Sequence, residues 1–214
     1  LSGGVYSTLI AVRAGLPCIA VGFSGSQDLT AAKDAADRLG LSLTVCEITG
    51  EDLTDALPIV SAALPDASHM DLELALTGYF IGITAKICGA EKVLTGQSAD
   101  EIFGGYARYS RSRTLRTDLD ADFLGLDAQR TRDAAAAGLS RVWYSMPYID
   151  ERVVRASRRL SDRELVDGDL RKIALRKVAE KYLPEDLAWK PKKAMQYGSG
   201  MTAALRRLEK LSRL

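Results

Sequence analysis

Apolar positions along the chain change their period several times, and each change marks an element. Tyr6 to Ala14 carries helical spacing and is closed by Gly15 and Pro17. Cys18-Ile19-Ala20-Val21-Gly22-Phe23 is a short apolar run, the pattern of a strand buried on both faces. Ser24 to Asp28 is a polar turn, with Asp28 placed as a helix cap. Leu29, Ala32, Ala36 and Leu39 then recur at helical spacing up to Gly40. Leu41 to Ile48 reads as a second strand, and Glu51 to Leu64 as a helix bent or interrupted near Pro58. Asp71 to Cys88 is apolar almost all round, which predicts a helix buried on several sides. Glu91 to Thr95 is a third, short strand ending at Gly96. From Tyr106 onward the pattern turns helical and Arg-rich, with no clear strand. Asp169 to Tyr182 reads as one amphipathic helix presenting Leu170, Ile173, Ala174, Val178 and Tyr182, and Pro184 stops it. Lys190 to Gly200 is a basic loop ending in glycines.

This alternation predicts an α/β fold, a Rossmann-like parallel sheet with helices on both faces, followed by a mostly helical C-terminal part. Residues 1–105 are expected to form this α/β core, and residues 106–214 to complete the same domain. A buried strand is expected to precede Leu1. Ligands of parallel sheets bind at the C-terminal strand ends. Three loops should therefore converge, at residues 1–7, 22–28 and 95–105.

Composition narrows the picture only modestly. With 214 residues, 47% hydrophobic, 27% charged and a net charge of +1, the chain is of one-domain size and its charge selects no partner. Cys18, Cys46 and Cys88 lack metal-site spacing and sit in apolar surroundings, which reads as packed, reduced thiols and a cytoplasmic location. No signal peptide or membrane-length apolar run is visible. His69 is the only histidine, which argues against a Ser-His-Asp or His-rich metal site and leaves it a structural or surface role. Trp143 and Trp189 read as core residues. The arginines around residues 108–116 and 152–163 read as solvated helix faces.

Two stretches carry candidate chemistry. Leu1-Ser2-Gly3-Gly4-Val5-Tyr6-Ser7 leads straight into a helix, so it is either a plain turn or a phosphate cradle of inward N–H groups on a helix N-terminus. Its spacing is neither G-x-x-x-x-G-K-[ST] nor G-x-G-x-x-G. Gly96 to Gly105 places Asp100 and Glu101 directly after a strand. Adjacent carboxylates there would hold Mg²⁺ against phosphates, or would simply be the acidic start of a helix.

The same stretches resemble the synthetase domain of the asparagine synthetases, in the PP-loop (N-type ATP pyrophosphatase) superfamily. Ser2-Gly3-Gly4-x-x-Ser7 is similar to S-G-G-x-D-S, and Gly96–Tyr106 to G-x-x-x-D-E-x-F-G-G-Y. Residues 21–32, 146–150 and 182–189 follow in the same order and spacing, so the resemblance spans essentially the whole chain. β-lactam synthetase shares this domain. The resemblance implies an adenine-nucleotide-alpha-hydrolase-like fold. It also implies an amide-forming ligase that activates a carboxylate, aspartate or an analogue, as an acyl-adenylate, with release of pyrophosphate and then AMP. By the same resemblance Ser2, Gly3, Gly4 and Ser7 wrap the pyrophosphate part of ATP. Leu1, Val21, Gly22 and Phe23 line the adenine, and Thr95 and Gly96 touch the nucleotide. Asp100 with Glu101 holds Mg²⁺, Lys192 neutralises the departing pyrophosphate, and Tyr106 lies near the phosphates or the acyl group.

Three positions depart from that pattern. Tyr6 stands where the family has a magnesium-binding Asp, and a phenol is a poor ligand at neutral pH. Gln97 stands where the family has a glutamate active in proton transfer; an amide orients a substrate but is no base. Trp143-Tyr144-Ser145 stands in place of an E-x-R at the substrate end. By the same resemblance the glutaminase part is expected to be absent, since Leu1 is not its nucleophilic Cys, and an archaeal-type stand-alone form is expected. Expected partners are ATP, a small carboxylate, ammonia or a separate amidotransferase, and a second copy in a homodimer; neither membrane nor nucleic acid is expected. Two other readings stay open: a non-catalytic nucleotide-binding paralogue, and a PP-loop enzyme adenylating a tRNA base.

Overall fold

The computed structural model describes residues 1–191 and 194–211. Local chemistry sets most element ends in its first half. Helix α1 (Val5–Ala14) closes on Gly15 and, after strand β1 (Cys18–Phe23), helix α2 (Gln27–Leu39) closes on Gly40. Both glycines are left-handed, at φ 62° and 63°, and each returns its N–H to a helix carbonyl. Strand β2 (Leu43–Ile48) leads to α3 (Gly50–Ala63), started by a capping box between Thr49 and Asp52 and continuous through Pro58. Ser68 caps α4 (His69–Ile87) by accepting from the Asp71 N–H. Strand β3 (Lys92–Leu94) and the short α5 (Ala99–Phe103) complete this half.

The second half is helical but not free of strands. It runs through a 3-10 turn (Ala107–Arg111), α6 (Leu115–Leu124), α7 (Leu126–Gly138), β4 (Trp143–Ser145), a second 3-10 turn (Pro147–Ile149), α8 (Glu151–Ser157) and α9 (Asp162–Leu165). A hairpin of β5 (Val166–Asp167) and β6 (Leu170–Arg171) follows, then α10 (Ile173–Ala179), α11 (Glu185–Ala188), α12 (Met195–Gly198) and α13 (Met201–Leu211).

Strands β1 and β2 pair in parallel with Cys18 opposite Leu43, and β3 and β4 pair in parallel with Lys92 opposite Trp143. Alternation splits β1–β2 into two covered faces. Ala20, Leu43 and Val45 meet Leu29 and Ala32 of α2. Ile19, Val21, Cys46 and Ile48 meet α3, α4 and α13 through Leu53, Leu76, Met201 and Leu205. A second core joins α1, α5, α6, α10 and α11 around Leu9, Phe103, Leu119, Leu175 and Leu187. The fold is therefore mixed α/β with short parallel pairs covered by helices. Among the described residues no continuous sheet joins β1–β2 to β3–β4.

Several expectations are corrected. Strands do occur after Tyr106: β4, β5 and β6. The helix expected over 169–182 is only α10, because residues 166–171 form the hairpin and Lys172 turns left-handed at φ 63°. Its buried residues are Ile173, Leu175 and Ala179, whereas Leu170, Val178 and Tyr182 are exposed. Asp28 is not the cap of α2; Ser26 is, and Asp28 is buried in the first turn. Trp143 is 76% exposed, since a three-residue edge strand gives its outer side no cover. Cys18 is buried, but Cys88 is exposed just past the end of α4. No helix among the described residues is long and apolar enough to cross a membrane.

Candidate functional site

The N-terminal loop is shaped by close backbone approaches. Gly3 sits at φ +65°, and a Cβ there would lie 2.4 Å from the Ala31 carbonyl oxygen of α2. Only glycine satisfies both the left-handed backbone and that contact. Gly4 is the N-cap of α1 and supplies no side-chain cap, and the first turn carries no acidic residue. The N–H groups of that turn and the positive end of the helix dipole suit an anion. Ser2 and Ser7 close the loop: Ser7 Oγ accepts from the Ser2 N–H at 3.1 Å and lies 3.0 Å from Ser2 Oγ.

The second glycine loop abuts the first. A Cβ on Gly96 would lie 3.0 Å from both the Ser7 nitrogen and the Tyr6 Cβ. The N-terminal loop also meets α2, the helix after β1, but at Ala31 in the helix body, so the direct contact is between the loops at 1–7 and 95–105. Leu1 donates its ammonium to the Ile19 carbonyl at 2.5 Å, along β1. Val21 and Gly22 are buried and Phe23 is half-buried. The Phe23 N–H donates to the Ser199 carbonyl at 2.9 Å, and a Cβ on Gly22 would lie 3.1 Å from that oxygen. One side of the expected adenine-lining segment is thus covered by the chain leading into α13. Thr95 Oγ1 donates to Gln97 Oε1 at 3.0 Å, which ties down the amide expected to orient a substrate.

The two carboxylates are already engaged. Asp100 Oδ1 accepts from the Tyr6 hydroxyl at 2.8 Å and faces Lys172 Nζ at 3.0 Å. The Lys172 ammonium also lies over the Tyr6 ring, 4.2 Å from its centroid. Tyr6 packs edge-on against Tyr148, whose hydroxyl donates to the Tyr6 carbonyl at 3.0 Å. Burial, then the Asp100 charge, holds the Tyr6 phenol well above its ordinary pKa, so it stays a neutral donor. Buried Glu101 accepts on Oε1 from the Tyr106 hydroxyl at 2.5 Å and from Gln129 at 2.8 Å. Burial and that carboxylate likewise raise the Tyr106 pKa. Arg171 donates to the Gly105 carbonyl at 2.6 Å, which fixes the hairpin to the loop.

Mg²⁺ prefers carboxylates, phosphate oxygens and retained waters in octahedral array. These residues do not suit it. The second carboxylate is a neutral phenol donating to the first, Asp100 already has a cation at 3.0 Å, and Glu101 is buried in bonds to Tyr106 and Gln129. No cluster of three or more His, Cys, Asp or Glu suitable for a metal occurs among the described residues.

Of the expected site residues, Leu1, Ser2, Gly3, Gly4, Ser7, Thr95, Gly96, Gln97, Asp100, Glu101 and Tyr106 lie on the two adjoining glycine loops, and Val21–Phe23 lie on β1. Lys192 lies outside the described residues. Lys190 extends to Asp34 on α2 at 3.1 Å. Lys172, Gln129 and Arg171 were not singled out by sequence; their places depend on long-range packing, and no local motif marks them. Two cavities, of about 340 and 180 Å³, lie elsewhere: one by Leu57, Leu72 and Leu205, the other by Tyr109, Arg113 and Asp167. Neither includes a residue of the three loops.

Two adjoining glycine loops and helix-covered parallel strand pairs place the chain in the mixed α/β class. The asparagine synthase family model matches residues 1–145 and 121–213, and the chain belongs to the asparagine synthase family. It is 32% identical over 242 residues to a Methanocaldococcus jannaschii protein provisionally named asparagine synthetase 1, glutamine-hydrolyzing; the match covers 93% of this chain and 45% of that one. It is 27% identical to asparagine synthetase B, glutamine-hydrolyzing, of Escherichia coli (86% of this chain, 34% of that one). It is 25% identical to the nodule asparagine synthetase, glutamine-hydrolyzing, of Pisum sativum (94% and 39%). The chain spans less than half the length of each of these relatives.

Proposed function

We propose that this chain is the synthetase part of an ATP-dependent amide-forming ligase of the asparagine synthetase type. The observation that carries the reading is the direct packing of Gly96 on Tyr6 and Ser7, which joins an uncapped helix N-terminus to the carboxylate loop. In this reading the loop of Ser2, Gly3, Gly4 and Ser7 binds the ATP phosphates, beside β1 and Leu1. The two parallel pairs are read as parts of one Rossmann-like sheet; both run parallel, and the N-terminal loop meets the loop after β3 at Gly96 and the helix after β1 at Ala31. A substrate carboxylate oxygen attacks the α-phosphorus, the α–β phosphoanhydride bond breaks, and pyrophosphate leaves. An amine then attacks the acyl carbon, the bond to AMP breaks, and the amine loses a proton. Gln97 orients and does not take that proton. Lys192 is read as a counter-charge for pyrophosphate. Aspartate is the first carboxylate to test, and ammonia or a separate amidotransferase the nitrogen source.

The test is ATP–pyrophosphate exchange and AMP formation with aspartate and ammonia, then with a panel of carboxylates. AMP and pyrophosphate in equal amounts, dependent on the carboxylate, support the reading. ATP binding without either product for any carboxylate refutes it. It would favour the non-catalytic nucleotide-binding reading, which rests on one observation, the neutral Tyr6 bonded to Asp100.

A further inference from the structure

We propose that the Lys172 ammonium is the resident cation of the Asp100 carboxylate, so that ATP binds here without a divalent metal at that position. The inference rests on the reading of the N-terminal loop as an ATP site. The Lys172 side chain is only 14% exposed and Asp100 is 35% exposed, so the 3.0 Å pair is largely withdrawn from solvent. An ammonium withdrawn to that degree needs compensation. It has the carboxylate on one side and the Tyr6 ring at 4.2 Å on the other. Its backbone is left-handed, φ 63° and ψ 28°, a conformation that disfavours a side chain and persists only where surroundings hold it. The structure accepts that strain where the hairpin turns Lys172 toward Asp100. The loop side is equally specific: a Cβ on Gly105 would come within 1.6 Å of Asp100 Oδ1.

Charge explains the consequence. Two facing carboxylates would repel ATP phosphates unless a divalent ion lay between them. Here one is replaced by a neutral phenol and the other is balanced by an ammonium, so the Tyr6–Asp100–Lys172 group is neutral overall. Phosphates meet the open end of α1 without that repulsion. A divalent ion placed at Asp100 would instead face the ammonium across the same oxygen.

The experiment measures the ATP dissociation constant of the chain by calorimetry, in EDTA and in excess Mg²⁺. Wild type is expected to bind within about threefold in the two conditions. Lys172→Met leaves Asp100 unpaired beside the phosphates, and its binding in EDTA should weaken roughly tenfold or more, with Mg²⁺ restoring it. Lys172→Arg keeps the charge and should depend on Mg²⁺ less than Lys172→Met does. Tyr6→Asp is a second route, independent of how well the Met variant folds. It restores the second carboxylate and should make binding respond to Mg²⁺. A wild type that loses ten times or more of its affinity in EDTA overturns the proposal while leaving the ATP site standing. So does a Lys172→Met variant indistinguishable from wild type in both buffers. Wild-type chain that binds ATP in neither buffer overturns the ATP-site reading and this inference with it.

Discussion

Gly105→Ala isolates the carboxylate network without touching any of its polar groups. Gly105 is not left-handed, so alanine brings no backbone penalty, only a methyl group. That methyl would lie 1.6 Å from Asp100 Oδ1, 2.5 Å from its Cγ and 2.6 Å from the Tyr6 hydroxyl. Tyr6 is held by Tyr148 and by Lys172, so Asp100 must give way. Moving it breaks the 2.8 Å bond from Tyr6 and the 3.0 Å pair with Lys172. Overpacking costs ~1–3 kcal/mol, and loss of a charge-assisted hydrogen bond a further ~1.5–3 kcal/mol. Partial relaxation overlaps the two, so about 2–4 kcal/mol is expected, or roughly 5–15 °C in Tm for a chain of this size. Gly15→Ala serves as control: φ is +62° with nothing within 4 Å of a Cβ, so only backbone strain of ~1 kcal/mol acts. Urea denaturation followed by circular dichroism gives both values. In the Gly105→Ala/Asp100→Ala double variant the clash with the carboxylate is gone and only the Tyr6 hydroxyl at 2.6 Å stays close, so its cost should fall short of the sum of the singles by roughly 1 kcal/mol or more. A Gly105→Ala chain within about 0.5 kcal/mol of wild type refutes the packing described for Asp100.

Three further outcomes follow from the structure. Burial first, joined in all but Tyr148 by a neighbouring carboxylate, raises the pKa of Tyr6, Tyr106, Tyr109, Tyr144 and Tyr148. A raised folded pKa gives stability that is complete below the unfolded value of about 10 and lost above it, at up to ~1.4 kcal/mol per pH unit for each tyrosine. Tyrosinate absorbance from these five should therefore rise together with loss of circular dichroism; their ionisation near pH 10 in a folded chain is the contrary result. Arg132 is buried between Asp133 at 2.9 Å and Asp71 at 3.0 Å. Arg132→Met leaves Asp133 buried without its cation, and should cost about 3–5 kcal/mol in urea unfolding at neutral pH, a loss that shrinks as pH falls and Asp133, its pKa already raised by burial, takes a proton. Thr202 on α13 donates to Glu73 on α4 at 2.9 Å, both buried. Thr202→Val should destabilise by ~1–3 kcal/mol and speed amide exchange in α13 before α4; uniform exchange across the two refutes that coupling.

How much of this was legible depended on how local each determinant is. Strand β1 announces itself because six residues suffice to show an apolar run, β2 by its β-branched and apolar content, and Gly15 and Gly40 mark helix ends because the left-handed turn needs them. Strand β4 has three residues, and β5 and β6 two each, too few for any period to show. The apolar spacing of 169–182 misled for a physical reason. Helical periodicity was read through Lys172, where the backbone leaves the helix, so the face drawn from Leu170 to Tyr182 never exists. The glycines of the two loops were legible as a pattern, but their reasons are contacts: Gly3 with Ala31, Gly96 with Ser7, Gly105 with Asp100. Lys172 was not legible because it meets Asp100 only after the hairpin and α10 have packed against the first half.

Tyr6 marks where sequence and structure bear on each other most. In the sequence it stands where the resembled loop has a carboxylate, which weakens the case for catalysis. In the structure its hydroxyl bonds Asp100 and its ring carries the Lys172 ammonium, so that difference is matched by a built-in cation. The match is unequal. Adenylation accumulates negative charge as pyrophosphate leaves, and fixed positive charge nearby is what lowers that barrier. An ammonium already shared with Asp100 offers less net charge to the leaving group than a divalent ion. If that replacement frees binding from metal, as proposed, it acts against the proposed chemistry, and the two should separate experimentally. Tyr6→Asp should raise pyrophosphate exchange in Mg²⁺ even as it weakens ATP binding in EDTA. If both move in the same direction, Tyr6 acts through loop stability rather than through charge.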